Sequence, residues 1–421
     1  MCVRGVVAIL ILAAVGSLPT AAAQRPAGLI RIATFNCSLN RRLEGGLRRT
    51  LSSPDDAQAR AVAEIVERVR PDILLLEEFD FDAAGDSVRE FQANYLARPQ
   101  HGAAPIEFAQ VFFTESNTGV PSGFDLDRDG RVAGGEDALG FGEFPGQYAM
   151  LLLSRFPIER AAVRTFRKFP WRDMPGALLP DDADTPQPRD WYSPQELALL
   201  PLSSKSHWDV PVRVGRVTLH LLASHPTPPA FDGPEDRNGK RNHDEIRFWN
   251  DYLTPANAGY LRDDAGRRGG FTGGPFIVMG DQNSDPIDGA SLNDAINALL
   301  ANPRIDARVV PASAGGPEAS TAQGGSNATQ RGEPRFDTGD FNDHGPGNLR
   351  VDYLLPSKGL KVCAAGVFWP AQSEPTAALV WGDAPPPSSD HRLVWLDLSV
   401  DATRCPPGSD PTASAPSHPR H

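Results

Sequence analysis

Positive charge, cysteine and long apolar runs are all scarce in this chain of 421 residues. Lysine and arginine total 41 against 53 acidic residues, a formal net charge of -12. An acidic chain exerts no long-range pull on nucleic acid, which argues against tight DNA binding but not against phosphate neutralised locally by bound metal. One apolar run stands out, Val6 to Val15, and at about ten residues it is too short to span a bilayer. Arg4 precedes it and Ala21-Ala22-Ala23 follows, the pattern of a secretory signal peptide over residues 1–23 with the mature chain starting near Gln24. The expectation is a secreted protein, extracellular or periplasmic, monomeric and without stable membrane insertion. Loss of the leader removes the Arg4 charge and takes the net charge from -12 to -13. Of four cysteines, Cys37, Cys363 and Cys405 remain after processing. An oxidising compartment permits a disulfide, and Cys363 and Cys405, which flank the last two expected strands, are the expected pair. Cys37 is then a buried, inert thiol. Repeats of the solenoid or propeller kind are also lacking.

Glycine (39) and proline (40) are plentiful and point to irregular loops rather than long helices. Apolar runs bounded by turn residues read as strands at Leu29–Phe35, Ile73–Leu76, Glu107–Phe113, Tyr148–Leu153, Pro275–Met279, Arg350–Leu355, Ala365–Phe368 and Arg392–Val400. Val212–Ser224 holds a strand pair or one long strand. Helices are expected at 55–70, where Asp55 or Asp56 caps and Pro71 stops the periodic run, at about 241–253 and at 290–300. Short strands with few helices suit an α/β fold of two packed sheets covered by helices. Residues 24–401 form one domain with Pro/Gly/Asp-rich insertions at 114–147, 163–210 and 305–348, and the polar 402–421 reads as a disordered tail.

Polar residues recur where apolar strands end. Asn36 follows Ile32-Ala33-Thr34-Phe35, and Glu77-Glu78 follow Ile73-Leu74-Leu75-Leu76. His225 follows Leu221-Leu222-Ala223-Ser224, Asp281 and Asn283 follow Phe276-Ile277-Val278-Met279-Gly280, Asp352 lies within 350–355, and Asp390-His391 precede the last strand. A buried charge is costly unless paired or metal-bound, so this placement makes sense if the groups converge on an ion or a charged ligand.

Phe35-Asn36, Leu76-Glu77-Glu78, Gly280-Asp281-Gln282-Asn283, Val351-Asp352-Tyr353 and Ser389-Asp390-His391, in that order, resemble the motifs of the endonuclease/exonuclease/phosphatase superfamily. That family includes secreted deoxyribonucleases, abasic-site endonucleases, sphingomyelinases and inositol polyphosphate phosphatases. The resemblance spans about residues 29–400 and implies a four-layered α/β sandwich, two packed mixed β-sheets flanked by helices. It further implies Glu78 as the metal carboxylate with Asn36 beside it, Asp390 as a supporting ligand, and Mg2+ or Mn2+ as the ion. By the same resemblance Asp281 orients or deprotonates the attacking water, Asn283 holds that water or a phosphate oxygen, and His391, oriented by Asp352, stabilises the transition state or protonates the leaving group. His225 matches a phosphate-contacting histidine. Two departures stand out: Glu77, where relatives often carry Gln, and Gln282, where the motif usually has an aromatic residue. Glu77 reads as a solvent-facing charge at a strand end that is able to add charge near the metal.

A separate motif, Asp125-Leu126-Asp127-Arg128-Asp129-Gly130 with Glu136 at the twelfth position, fits a calcium loop, Arg131 offering its carbonyl. The Gly/Pro-rich flanks suggest a lone Ca2+ loop over 125–136 that stiffens the 114–147 insertion. Substrate contacts are expected from Asn117, Tyr148, His207, Arg241 and Arg247, the arginines or His243 holding a second phosphate. The leading reading is a secreted phosphoesterase that cleaves a diester, of nucleic acid or a smaller ester, by metal-activated water. The alternatives are a phosphomonoesterase acting on sugar or inositol phosphates and a non-catalytic binding module on the same fold.

Overall fold

The computed structural model describes residues 28–382, 386–399 and 405. The expected leader and, apart from Cys405, the expected tail lie outside the described residues. The apolar runs become strands β1 (Ile30–Asn36), β2 (Ile73–Glu77), β3 (Gln110–Phe113), β4 (Leu151–Ser154), β5 (Arg164–Thr165), β6 (His207–Val214), β7 (Val217–Ser224), β8 (Phe276–Asp281), β9 (Gly339–Asp340), β10 (Asn348–Leu349), β11 (Asp352–Pro356), β12 (Lys361–Val367) and β13 (Val394–Ser399). Helices are α1 (Gly46–Leu51), α2 (Ala57–Val69), α3 (Asp86–Phe91), α4 (Pro194–Leu199), α5 (Arg237–Leu253), α6 (Asp294–Leu300) and α7 (Gly315–Gln323).

The strands build two mixed sheets. The first is six-stranded in the order β12-β13-β1-β2-β4-β3, the second five-stranded in the order β11-β8-β7-β6-β5, and β9 and β10 form a small separate ribbon. Each main sheet has one parallel pair, β1 with β2 and β7 with β8; the other pairings are antiparallel. A parallel pair needs a crossover, and a helix supplies it in both cases: α2 leads into β2, and α5 lies between β7 and β8.

Side-chain alternation along the strands sets the layers. On the second sheet Leu219, Leu221, Ala223, Ile277, Met279 and Leu354 join the core shared with the first sheet. Their neighbours Leu222, Phe276, Val278, Tyr353 and Leu355 face the other way, into a second core with Ile246, Trp249 and Tyr252 of α5 and Ile296 and Leu299 of α6. The outer face of the first sheet is covered by α2, which buries Ala59, Val62, Ala63, Val66 and Val69. The order helix, sheet, sheet, helix is the expected four-layered sandwich. Asp56, not Asp55, caps α2 by accepting the Ala59 N–H, and Arg70 in the left-handed conformation ends it before Pro71.

Residues 207–224 resolve into a strand pair, turned at Gly215. Four short helices lie outside the three expected from periodicity. Each of α1, α3 and α4 has only 6 residues, too few to show a helical period, and α7 carries Gly and Ser rather than an apolar stripe. Residues 163–210 therefore hold β5, α4 and the start of β6, and residues 305–349 hold α7 and the small ribbon. Cys363 and Cys405 form the disulfide, and Cys37 is a buried free thiol.

Ile277 is fully buried between the two sheets. Ile277→Ala should destabilise the fold by about 2–5 kcal/mol in guanidinium titrations. A loss under about 1 kcal/mol would mean that the interface between the sheets is not a close-packed core.

Candidate active site

The two parallel pairs aim their carboxyl ends at the same edge of the sandwich, the usual place for a ligand site in sheets with helical crossovers. Asn36 pairs with Glu77 at the end of β1 and β2, and Asp281 at the end of β8 pairs with Asp352 at the start of β11. His225 follows β7, and His391 lies just ahead of β13. Gly280 permits the close fit here: a Cβ at this position would lie 2.1 Å from the Ser224 carbonyl oxygen.

The groups meet at short range. Asn36 Nδ2 donates to Asp281 Oδ2 at 3.1 Å and to Glu78 Oε1 at 3.2 Å, and Asn40 Nδ2 donates to Glu78 Oε2 at 2.9 Å. Asp281 Oδ1 accepts the Asn283 N–H at 2.8 Å, while Asn283 Nδ2 donates to the Pro226 carbonyl at 3.1 Å. His391 Nδ1 lies 3.0 Å from Asp352 Oδ2, and its Nε2 lies 3.6 Å from Asp281 Oδ2. His225 Nε2 lies 3.4 Å from the same Asp281 oxygen. Asp390 accepts from Ser38 Oγ at 3.2 Å and adds its charge beside Glu78. Ser38, Glu78, Tyr148 and Asn283, all non-glycine, have positive φ. Such backbone strain concentrates where a site requires it.

Burial and crowding of charge shape the titration. Asp281 is fully buried, and desolvation pushes its carboxyl up to about 7 although the His391 charge pulls it back. Glu78 is raised by burial and by Asp390. Burial opposes a charge on His391, yet Asp352 and Asp281 together hold it protonated well above the ordinary range. His225 goes the other way: burial and the neighbouring charges of Lys205 and His391 keep it neutral.

Glu77 corrects the sequence reading. It is fully buried rather than facing solvent, its Oε1 accepting from Thr34 Oγ1 at 2.6 Å and from the Asp281 N–H at 3.2 Å. Desolvation raises it well above the usual glutamate value. Gln282 takes the place of the usual aromatic residue and exchanges two hydrogen bonds with Ser224 of β7, at 3.2 and 3.3 Å.

The expected substrate contacts divide. Tyr148 lines a cleft of about 410 Å3 that also reaches Glu78 and His225. Asn117 instead donates to the carbonyls of Arg167 and Ser203, at 2.7 and 2.8 Å. His207 is buried between Ser203 and the Glu245 carbonyl, and its pKa is pushed down to about 4 by burial. Arg241 touches the cleft, but its guanidinium is spent on the carbonyls of Leu202, Leu139 and Pro201 at 2.9, 2.6 and 2.9 Å. Arg247 ties down the Pro175 carbonyl at 2.7 Å. Asn117, Arg241 and Arg247 are occupied because loops leave backbone carbonyls that need partners, and His207 is held by the Ser203 hydroxyl and the Glu245 carbonyl of α5.

Further side chains complete the site. Asn40 lies in the loop after β1. Lys205 is buried at the cleft beside Glu78 and His225, its Nζ 3.4 Å from the Pro226 carbonyl. On α5, Asn242 donates to the carbonyls of Thr227 and Gln282 at 2.8 and 2.9 Å, and Glu245 accepts the N–H groups of Ser204 and Thr227 at 2.6 and 2.7 Å. A polar run on an otherwise amphipathic helix was the available clue.

In the acidic loop, Asp125, Asp127 and Asp137 bring one carboxylate oxygen each within 4.8 Å of one another. Glu136 is not part of that group: its Oε2 pairs with Arg237 at 3.3 Å, and its neighbour Asp137 turns inward to accept the N–H groups of Leu126 and Ala133, both at 2.7 Å. Asp129 accepts the Arg131 N–H at 2.8 Å. The loop has no flanking helices, as its glycines and prolines suggested.

Oxygen donors dominate the main site, and Asp281, Asp352 and His391 form a buried cluster able to hold a divalent cation. Asp352 Oδ1 and Glu77 Oε2 are buried without a hydrogen-bond partner. Such a concentration of carboxylates fits a site completed by positive charge.

A model described as the endonuclease/exonuclease/phosphatase family matches residues 33–391. Among solved structures, an endonuclease/exonuclease/phosphatase from Beutenbergia cavernae DSM 12333 is similar at 17% identity, over 88% of this chain and 71% of that one, with a TM-score of 0.46. A family protein from Leptotrichia buccalis C-1013-b is similar at 14% identity, over 87% and 98%, with a TM-score of 0.42. Sphingomyelinase C from Streptomyces griseocarneus is similar at 16% identity, over 88% and 99%, with a TM-score of 0.40. A search of curated proteins returned no match.

Two measurements test this geometry. A carboxyl raised on folding keeps its proton after the unfolded chain has lost it. It therefore supports the fold fully below the ordinary glutamate range, and that support is lost as pH rises toward the raised value. In chelator, wild type should thus lose stability over that interval and Glu77→Gln should flatten the loss; equal slopes in thermal scans would show that Glu77 ionises normally. For the acidic loop, calcium should raise the Tm of wild type, and Asp127→Ala should diminish the rise. An identical calcium response in both proteins would remove this loop as a cation site.

Proposed function

This chain belongs to the endonuclease/exonuclease/phosphatase family, and from that premise we propose that it hydrolyses phosphate diesters by attack of a water molecule held at Asp281 and Asn283. The observation that carries the proposal is the convergence of Asp281 with Asn36, His391 and His225 within 3.6 Å of its Oδ2 oxygen. Family membership and the buried Asp281–Asp352–His391 cluster support a metal-dependent phosphoesterase.

Glu78, with Asn36 and Asp390 beside it, would hold the cation. A Mg2+ or Mn2+ ion there supplies positive charge against the phosphoryl oxygens. Asp281 is the general base: a carboxyl pushed up to about 7 exchanges protons readily near neutral pH. The Asn283 N–H, bonded at 2.8 Å to Asp281 Oδ1, fixes the direction of that carboxylate. His391, protonated and oriented by Asp352, donates to a phosphoryl oxygen or to the departing alkoxide, while neutral His225 offers hydrogen bonding without a second positive charge. The pair follows a general pattern in which neighbouring titratable groups are driven apart so that one is acid and another base. The limited positive charge favours a diester over the more highly charged monoester. No helix among the described residues is long and apolar enough to cross a membrane.

Asp281→Ala should lower turnover of bis(p-nitrophenyl) phosphate in magnesium by on the order of a hundredfold or more with the circular dichroism spectrum retained. Chelator should abolish turnover in wild type. Cleavage of p-nitrophenyl phosphate alone would replace the diester reading with a monoesterase, and retained activity in Asp281→Ala would remove Asp281 from the mechanism.

A further inference from the structure

The cleft beside the catalytic groups carries its own selectivity. Its floor reaches Glu78, Lys205 and His225, and its walls come from three separate stretches. The 114–147 insertion contributes Leu126, Ala138 and Phe141, the 163–210 insertion contributes Tyr192 and Leu200, and the loop after His225 contributes Pro228 and Phe231. A volume of about 410 Å3 lies within the range of small-molecule sites, and the walls are mainly apolar. Two phenylalanines stand at the rim. Phe231 is 82% exposed with a φ of +66°, and Phe141 is 48% exposed and leans toward Tyr148 with ring centroids 6.1 Å apart. Both rings thus present apolar surface to water beside the cleft that they line.

The charges around the cleft are equally selective. Arg241 is committed to three carbonyls, and Arg237 is paired with both Glu235 and Glu136. Among the described cations lining the cleft, Lys205 is the one whose side chain forms neither a close ion pair nor a set of hydrogen bonds to carbonyls: its Nζ donates to the Pro226 carbonyl at 3.4 Å, and the charges of Glu245, Glu78 and Asp281 act on it from their positions nearby. Glu136 and Glu78 add negative charge. Lys205 is thus the cation lining this cleft that a single phosphate would meet. A second phosphate would have to displace an existing ion pair, and a polyanionic strand would meet an acidic protein of net charge -12.

We propose that this cleft is a specificity pocket for a compact ester with a single phosphorus centre and a flat aromatic or apolar alcohol group, and that it discriminates against polyphosphorylated sugars and nucleic-acid polymers. The substrate class rests on the phosphoesterase reading above. The binding preference does not, because it arises from walls that lie outside the catalytic groups. The phosphate would lie beside Glu78, Lys205 and His225, where Glu78 would hold the cation, and the alcohol group would lie among Phe141, Phe231 and Tyr192.

Phosphonates test this without turnover, since their carbon–phosphorus bond is not an ester. In calorimetry on the full chain with magnesium, 1-naphthylphosphonate should bind on the order of tenfold more tightly than methylphosphonate. Inositol hexakisphosphate should bind no more tightly than methylphosphonate, and a single-stranded oligonucleotide should not displace the naphthyl compound. Phe141→Ala and Phe231→Ala, both at exposed positions, should each reduce the naphthyl preference. Equal affinity for the two phosphonates, a preference untouched in both variants, or tighter binding of the hexakisphosphate would overturn the proposal. Hydrolysis of bis(p-nitrophenyl) phosphate is read in parallel. A naphthyl preference without hydrolysis upholds the pocket and sinks the catalytic reading; hydrolysis without the preference sinks the pocket alone.

Discussion

The hydrogen bond from Asn36 Nδ2 to Asp281 Oδ2 joins the two sheets at the edge where their parallel strands end. It sets the end of one sheet against the end of the other. β1 brings Asn36 and β8 brings Asp281, and neither strand touches the other within a sheet, so the contact exists only because the sheets are stacked in this register. Gly280 keeps β8 close enough to the end of β7 for Asp281 to reach its position. Glu77, beneath, accepts the Asp281 N–H and holds the backbone from below.

Stacking carboxylates at that edge sets an electrostatic problem that the protein solves by dividing protonation states. Glu77 is displaced toward its neutral form by burial, so it supports the site structurally without adding a full charge. His391 takes the proton favoured by Asp352 and Asp281, and His225, facing other positive groups, remains neutral. Two histidines bordering one carboxylate oxygen thereby acquire different chemistry from their surroundings alone. The remaining negative charge is what makes a divalent cation a natural member of the site.

β5 and the start of β6, within residues 163–210, join the second sheet, while the loops of residues 114–147 and 163–210 line the cleft. Their many glycines and prolines leave backbone groups without regular partners, and buried side chains meet that demand: Arg241 and Asn117 on carbonyls, Glu245 on two N–H groups. Held in this way, the loops line a mainly apolar cleft that reaches Glu78, Lys205 and His225. The sheets position the polar cluster and the loops line the cleft beside it, a division in which loop residues are judged by what they face rather than by their chemical type.

Much was legible from the chain itself. Short apolar runs between turn residues located the principal strands, because alternation and burial are imposed locally on each strand. The polar residues at the strand ends identified Asn36, Glu78, Asp281, Asn283, Asp352 and His391 as a group, since a costly charge repeated in one kind of position implies convergence. The spacing of Cys363 and Cys405 around the final strands suggested their disulfide. What the chain alone left open depended on packing in three dimensions. The direction of Glu77 follows from the sheet stacking, and the inward turn of Asp137 in place of Glu136 follows from where Arg237 lies. His207, Arg241 and Arg247 looked like free polar groups until the carbonyls that occupy them, of α5 for His207 and of loops for the two arginines, were in place. Hydrogen-bond partners distant in sequence cannot be assigned from composition or spacing, because whether a polar side chain serves a ligand or a neighbouring backbone is decided only when the tertiary fold brings that backbone to it.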